Sequence, residues 1–407
     1  MLVMTNCIKA KCEEYFVEGI PTLAKSMGLY PYFNPIESEQ GPLVSMGGHE
    51  MVMLGSNNYL GMTGNPKVKQ AAIDAIEEFG VGTTGSRLLN GTFHLHQQLE
   101  SRLAKFLGKE DCIVFSTGMQ ANLGALGCLF SKGDEIVVSD ELNHASIIDG
   151  LVLSRRDAST KVIFKHNDMD DLRLKMSDVP NGKSMIVTEG IFSMEGDISP
   201  MDEIVAIAKE NDAMVYLDDA HSFGVLGPHG QGAAAHFGVS DDVDVLMGTF
   251  SKSFASCGGY VAASEEICNW IRHNGRAFIF SASIPPANCA TVLSVLDIVE
   301  KDTSYKDNVL RLAERMKNRL SNSGFDIGKS VTPIIPIIIG DEIMTFQFFK
   351  SLFEHQPKGV FTNPVRAPAV PEGHELLRTS YMASMTDELI DEAADIIEDV
   401  GHELEII

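Results

Sequence analysis

The chain has 407 residues, more than one hydrophobic core usually serves, so two domains are the starting expectation. Its residues are 44% hydrophobic and 22% charged, and 32 basic against 56 acidic side chains leave a formal charge of -24. That balance repels nucleic acid and anionic lipid, which argues against DNA or RNA as a partner, and no apolar run approaches the ~20 residues that span a bilayer.

Seven cysteines, an odd number with no CxxC pair, read as thiols of a reducing compartment, with neither a disulfide framework nor a metal site. No charged-then-apolar signal opens the chain, so the expected location is cytoplasmic.

Residues 7–27 pattern as one or two amphipathic helices, and Gly28 to Pro35 as a proline-aromatic arm. Met51 to Gly55 reads as a short strand, followed by the polar turn Ser56-Asn-Asn-Tyr-Leu-Gly61. Pro66 to Phe79 has helical periodicity with proline at its start. Gly80-Val-Gly-Thr-Thr-Gly85 matches GxGxxG, but a helix precedes it where a dinucleotide site needs a strand. A flexible loop close to a ligand or a neighbouring subunit is the better reading. His94 to Leu107 is another amphipathic helix.

From Asp111 apolar runs recur at 112–115, 135–138, 162–164, 185–187, 214–217 and 243–247. Helical segments at 120–130, 145–154, 169–176 and 201–211 separate most of them. Strands apolar throughout and alternating with helices predict a mostly parallel sheet covered on both faces. Ligands of such sheets sit beyond the carboxyl ends of the strands. Polar or ionisable residues follow the runs there: Ser116 to Gln120, then Asp140, Asn143 and His144, then Glu189 and Ser193, then Asp218, Asp219 and His221, then Thr249, Ser251 and Lys252.

The last group belongs to Asp244–Tyr260, predicted as a strand that turns at Gly248, presents Lys252, and closes on Gly258-Gly259 before a seventh apolar run, 260–263. A desolvated lysine has a lowered pKa and an amine free to attack a carbonyl. A Schiff base with pyridoxal phosphate (PLP) is one chemistry that uses it. A lysine snorkelling to water from a strand end is the plainer alternative.

Beyond Ser264 come a loop at 278–286, helices at 287–302 and on to about 323, a strand at 333–339, a helix at 346–354, strands at 359–364 and 376–382, and an acidic helix from Thr386. The expected division is an N-terminal segment 1–57, a large α/β domain 58–289 and a smaller α+β domain 290–407.

PLP requires a lysine, a carboxylate at its ring nitrogen, a phosphate cradle and a group against its face. Lys252 and Asp218 supply the first two; Asp218 or Asp219 could instead cap a turn, or join His221 at a metal. Ser116-Thr-Gly-Met-Gln120 opens a helix, whose free N–H groups suit a phosphate or an ordinary cap. His144 could lie on the ring or cap a helix, and His221 could bond the cofactor's phenolic oxygen or pack in a turn. Arg378, inside an apolar strand, needs an anion, either a substrate carboxylate or an acidic neighbour.

Together Ser116-Thr-Gly118, Asn143 to Gly150, Thr188 to Asp197, Asp218-Asp-Ala-His221, Gly248 to Phe254 and Leu377-Arg-Thr-Ser380 resemble the α-oxoamine synthases, PLP enzymes of fold type I, over roughly residues 28 to 400. The resemblance implies a homodimer with shared active sites and a decarboxylative condensation of an amino acid with an acyl-CoA. It implies that Lys252 carries PLP and acts as base, His144 stacks on the ring and orients the substrate carboxylate, Asp218 holds the ring nitrogen and His221 the phenolic oxygen. Gly118, Met119, Ser193, Thr249 and Ser251 would complete the cofactor site, and Arg378 would bind the carboxylate. Ser281, Ala282 and Ser86 would reach a partner's site.

Gly28 to Phe33, Gly85 to Gly91, Gly248 to Tyr260 and Phe280 to Ser283 look most like the branch that joins serine to a long-chain acyl-CoA, palmitoyl-CoA, giving 3-oxosphinganine. Alanine with a pimeloyl thioester and glycine with acetyl-CoA are the alternatives. An aminotransferase or a cofactor-free binding module on the same fold is a more distant one. A weak peripheral membrane contact stays open. Relatives commonly carry a histidine after the arginine strand, where this chain reads Ala383-Ser-Met-Thr386.

Overall fold

The computed structural model describes residues 6–130, 135–154 and 160–407. Its strands are β1 (Leu43–Met46), β2 (His49–Met53), β3 (Asp111–Phe115), β4 (Ile136–Asp140), β5 (Thr160–Phe164), β6 (Ser184–Glu189), β7 (Met214–Asp218), β8 (Val245–Thr249), β9 (Gly259–Ala263), β10 (Ile334–Ile338), β11 (Gly359–Phe361), β12 (Asn363–Val365) and β13 (Leu376–Ser380).

Seven of them form the central sheet, in the order β3-β9-β8-β7-β6-β4-β5. The β8, β7, β6, β4 and β5 pairings are parallel, whereas β9 is antiparallel to both neighbours. The reason is chain length. Only residues 250–258 join β8 to β9, too few for a parallel crossover, which takes about a dozen or more residues. Side chains alternate between two cores. Cys112, Val138, Ile186, Leu217 and Leu246 enter one, while Ile113, Val137, Val187, Tyr216 and Val245 enter the other. Both faces are therefore covered, as the unbroken apolar runs predict.

The turn expected at Gly248 lies further on. Gly248 is inside β8, opposite Tyr260, and a Cβ there would sit 2.5 Å from the tyrosine ring. The glycine makes room for a buried aromatic, and the chain leaves the sheet only after Thr249.

A second core gathers helices Ser304–Ser323, Glu342–Glu354 and Asp387–Glu403 around two three-stranded sheets, β10-β13-β12 and β1-β2-β11. Val44, Met46, Met51 and Val52 of β1 and β2 are buried in this core, so the N-terminal segment contributes to the C-terminal lobe. Helix Pro286–Val299 packs instead into the large-sheet core through Cys289, Val292, Val295 and Leu296. The single strand expected over 359–364 is two strands. β11 runs parallel to β2, whereas β12 runs antiparallel to β13. Strand Leu43–Met46 and helix Glu265–Asn274 are elements that the sequence reading passes over.

Helices Ser304–Ser323 and Asp387–Glu403 are joined on their outer side by charge. Arg311 pairs with Asp387 at 2.6 Å, Arg315 with Asp391 at 2.6 Å, and Arg319 with Asp395 at 2.7 Å and Glu398 at 2.9 Å. Such exposed pairs contribute little singly. Among the described residues no helix is long and apolar enough to cross a membrane.

Candidate active site

The parallel strands deliver their carboxyl ends to one cavity of about 300 Å³. It is lined by Lys252, Asp218, His144, His221 and Glu189, with Gly118, Met119, Thr249 and Ser251 among the rest. Residues predicted from five separate strand ends thus meet in one place.

Lys252 follows β8 in a loop closed by Phe250 N–H to Gly258 O at 3.0 Å and Ser256 N–H to Phe250 O at 2.9 Å. Ala255 in this loop has φ 53, in the left-handed region that a side chain disfavours. Burial draws the Lys252 amine down to about 8; the charges of Asp218 and Glu189 oppose the shift and that of Arg378 adds to it. An amine so placed is a nucleophile and a base near neutral pH.

Asp218, at the end of β7, is buried. Its Oδ2 accepts from Asn122 Nδ2 at 2.7 Å and its Oδ1 from the Ala220 amide at 2.9 Å. Asp219 turns the other way, accepting from Ser222 and from the Ala233 amide, and burial lifts its carboxyl to about 7. Both side chains therefore hold the turn, Asp218 through the Ala220 amide and Asp219 through the Ser222 hydroxyl. Among the described residues no group of three His, Cys, Asp or Glu side chains could hold a metal ion.

Burial holds His221 well below the usual histidine range, helped by the charges of Lys252 and Arg378, so the ring is neutral. Its Nδ1 lies 2.7 Å from the Tyr59 hydroxyl. The hydroxyl has one proton, and Asn57 Oδ1 lies 3.2 Å away as a second acceptor; directed to the nearer Nδ1, that proton leaves the ring hydrogen on Nε2. Tyr59 in turn accepts from Arg378 Nη2 at 3.3 Å, and Asn57 Oδ1 accepts from the same nitrogen at 3.0 Å. The polar turn 56–61 thus anchors two site residues far along the chain. Its lone tyrosine was the available signal.

Arg378, on β13, is buried. Its Nε donates to the Ser193 carbonyl. No carboxylate pairs with it among the described residues, and its Nη1 has no hydrogen-bond partner there. The acidic-neighbour alternative is thereby removed, and a buried cation without a counter-ion is suited to an incoming carboxylate.

His144 precedes helix Ala145–Ser154, and its amide donates to Glu189 Oε1 at 2.6 Å. Burial lowers the His144 pKa, with Lys252 adding and Asp218 opposing. Burial raises Glu189 well above the carboxylate range, and the nearby Asp218 charge adds to this.

At the other end of the cavity, helix Gly118–Leu129 begins behind Thr117, whose hydroxyl accepts from the Gln120 amide at 3.1 Å. A Cβ on Gly118 would come within 2.9 Å of the Thr249 side chain, and one on Gly259 within 2.8 Å of Gly118 Cα. Helix start and strand end are therefore pressed together, with the Thr249 and Ser251 hydroxyls 3.0 Å apart beside them. Free N–H groups and two hydroxyls at one end, a carboxylate within and an amine drawn toward neutrality fit PLP.

Five predicted residues lie outside the cavity lining: Arg378, joined to it through Tyr59 and His221, and four more. Ser193 touches the site only through its carbonyl. The Ser281 hydroxyl accepts from Gln120 Nε2 at 2.9 Å, and the Ala282 carbonyl accepts from the Ser116 hydroxyl. The Ser86 carbonyl accepts from the amides of Leu89 and Gly91. Met385, where relatives commonly carry histidine, is buried in the second core.

A charged clamp stands behind the site. His166 Nδ1 lies 3.1 Å from Asp140 Oδ1 and Nε2 lies 2.9 Å from Asp197 Oδ2. Burial disfavours the charged ring, but the two carboxylates win and raise it to about 10. Because the folded value lies above the unfolded one near 6.5, this stabilisation is full below pH 6.5 and is lost as pH rises toward 10. His166→Leu should cost on the order of 3 kcal/mol near pH 6. Urea unfolding of both proteins from pH 6 to 9.5 should show that gap narrowing with rising pH; a constant or widening gap would contradict the charged clamp.

Residues 49–397 match the aminotransferase class I and II family. The chain is 48% identical over 383 residues to the serine palmitoyltransferase of Sphingobacterium spiritivorum, covering 94% of each chain. It is 41% identical over 402 residues to the 8-amino-7-oxononanoate synthase of Thermoanaerobacter pseudethanolicus, covering 98% of each. Among solved structures it is similar to a serine palmitoyltransferase from S. paucimobilis with a bound PLP–myriocin aldimine, at a TM-score of 0.93 and 33% identity, covering 99% of this chain and 100% of that one.

Proposed function

Since this chain belongs to the aminotransferase class I and II family and, within it, to the α-oxoamine synthases, we propose that it joins L-serine to palmitoyl-CoA, releasing CoA and carbon dioxide and giving 3-oxosphinganine. The observation that carries this reading is the meeting of Lys252 and Asp218 in one cavity, with an unpaired Arg378 joined through Tyr59 to His221 of that cavity, in a chain 48% identical to a serine palmitoyltransferase.

Lys252 Nζ would hold the PLP aldehyde carbon, Asp218 the ring nitrogen and His221 Nε2 the phenolic oxygen. Gly118, Met119, Thr249 and Ser251 would take the phosphate, with His144 against the ring. When bound, PLP supplies a sink for the electron pair left behind as a bond to the amino acid's Cα breaks. Lys252 Nζ, drawn down to about 8, takes the Cα proton of serine. Asp218, which accepts from Asn122 and Ala220, is held in place as the acceptor opposite the ring nitrogen. His221, kept neutral by burial, stays a donor at Nε2 and is a poor base. Arg378 offers Nη1 to the carboxylate that orients the amino acid.

The same reading makes the enzyme a homodimer in which Ser281, Ala282 and Ser86 reach the partner's site; in the single chain they lie outside the cavity, beside the helix start or in the 85–91 loop. It also places the enzyme in the cytoplasm, which agrees with seven free cysteines. An 8-amino-7-oxononanoate synthase activity is the second reading, favoured by 41% identity over 98% of the chain to an enzyme of that name.

Titrating the PLP-loaded enzyme with serine, alanine and glycine, then profiling acyl-CoA chain length, separates the two. Serine should perturb the cofactor absorbance at the lowest concentration, and the sixteen-carbon thioester should turn over fastest. A response to alanine alone, with a pimeloyl thioester preferred, would replace the first reading by the second.

A further inference from the structure

Asn122 lies in helix Gly118–Leu129, fully buried, and borders the cavity. Its Nδ2 donates to Asp218 Oδ2 at 2.7 Å and to Ser146 Oγ at 2.8 Å, while its Oδ1 accepts from the Tyr216 hydroxyl at 2.7 Å. An ionised carboxylate can only accept, so the amide has one permitted orientation. Ser146 Oγ is then an acceptor toward Asn122 and must send its own proton elsewhere. His144 Nδ1 lies 2.7 Å away, and the Ser146 amide donates to that same nitrogen at 3.2 Å. Nδ1 of His144 is therefore an acceptor twice over, and the neutral ring carries its proton on Nε2. That nitrogen has no hydrogen-bond partner among the described residues and is left for a ligand.

We propose that Asn122 is a positioning residue that couples the Asp218 carboxylate to the tautomer of His144. One amide fixes the acceptor for the cofactor ring nitrogen and, through Ser146, the donor nitrogen that His144 offers to the amino acid. The inference rests on the reading of this cavity as a PLP and amino-acid site. Asparagine suits the role because a single nitrogen gives two donors while the oxygen accepts on the other side. Aspartate would set a second carboxylate against Asp218. Leucine would leave Asp218 Oδ2 and the buried Ser146 and Tyr216 hydroxyls without this partner.

The two arms have separate readouts. Ser146→Ala cuts only the His144 arm. It should raise the amino-acid dissociation constant of the PLP-loaded enzyme about tenfold and leave PLP affinity within about twofold. Asn122→Leu cuts both. It should weaken PLP binding about tenfold or more, shift the pH midpoint of the cofactor absorbance, and weaken amino-acid binding as well. Because the Ser146 arm runs through Asn122, the double variant should bind the amino acid no worse than Asn122→Leu alone.

Far-UV circular dichroism and thermal melting check that each variant is folded. A folded Asn122→Leu enzyme with wild-type PLP affinity would overturn the proposal, as would single-variant effects that simply multiply. If Asn122→Leu does not fold, Ser146→Ala decides alone: an unchanged amino-acid dissociation constant overturns the coupling. Wild-type protein that binds no PLP would instead sink the functional reading beneath it.

Discussion

Replacing Lys252 by alanine should lower turnover by more than about 10,000-fold while leaving the fold intact. In the proposed reaction the side chain has two tasks at once, holding the cofactor and moving the Cα proton, and no neighbour can inherit either. Burial lowers the pKa of His144 and of His221, which makes both weak proton acceptors, and Glu189 Oε1 is engaged by the His144 amide. The lysine carries little structural duty. It sits in a loop held by backbone hydrogen bonds of residues 250–258, and its amine is destabilised by burial. Thermal unfolding should therefore stay at the wild-type midpoint or rise slightly. Borohydride reduction and peptide mapping supply the companion measurement: a pyridoxyl adduct on residue 252 of the wild type and none at that position in the variant. Condensation surviving within about tenfold of the wild-type rate would remove Lys252 as the base.

Asp218→Asn should cost about 100- to 1,000-fold in kcat, the scale expected when a preorganised charge is removed from a water-poor site. The change is nearly isosteric, so packing survives, but polarity does not. The carboxylate accepts on both oxygens, from Asn122 and from the Ala220 amide. An amide must present its NH2 to one of these donors or to the ring nitrogen. The pH profile should move as well. The negative charge of Asp218 is the largest influence holding the Lys252 pKa up against burial. Neutralising it drops the lysine further below about 8, so the rise of kcat with pH should begin at lower pH. A variant retaining more than about a third of wild-type kcat would show that the reaction does not need charge at this position.

The residues most readable from sequence are those that follow strands. Asp218, Lys252 and His144 stand just past apolar runs, and a parallel sheet brings such ends together whatever their separation along the chain. What was not readable depends on contacts between distant segments. Asn57 and Tyr59 lie in an early turn, and only the assembled lobes bring them to Arg378 and His221. Asn122 left a local trace, an amide that with Gln120 interrupts a helix otherwise of Gly, Met, Ala, Leu and Cys, but its partners Ser146 and Asp218 could not be named in advance. Gly248 misled because glycine marks turns more often than it makes room for a facing ring. Helix Glu265–Asn274 is short and polar but clearly amphipathic, with Ile267, Cys268 and Ile271 on one face, so its spacing is legible although the sequence reading passes over it.

The paired charges along the two outer helices have a spacing with a further meaning. Arg311, Arg315 and Arg319 recur every four residues, and so do Asp387, Asp391 and Asp395. A displacement by one helical turn would forfeit no rung in this direction, since Arg311 could meet Asp391, Arg315 could meet Asp395 and Arg319 could meet Asp399. The charges thus act as adhesive and not as a ruler. Alignment has to come from aperiodic features beneath them: Leu312, Met316 and Leu320 interlocked with Ile390 and Ile397, and Asn308 Nδ2 latched onto the Ala383 carbonyl at 2.7 Å.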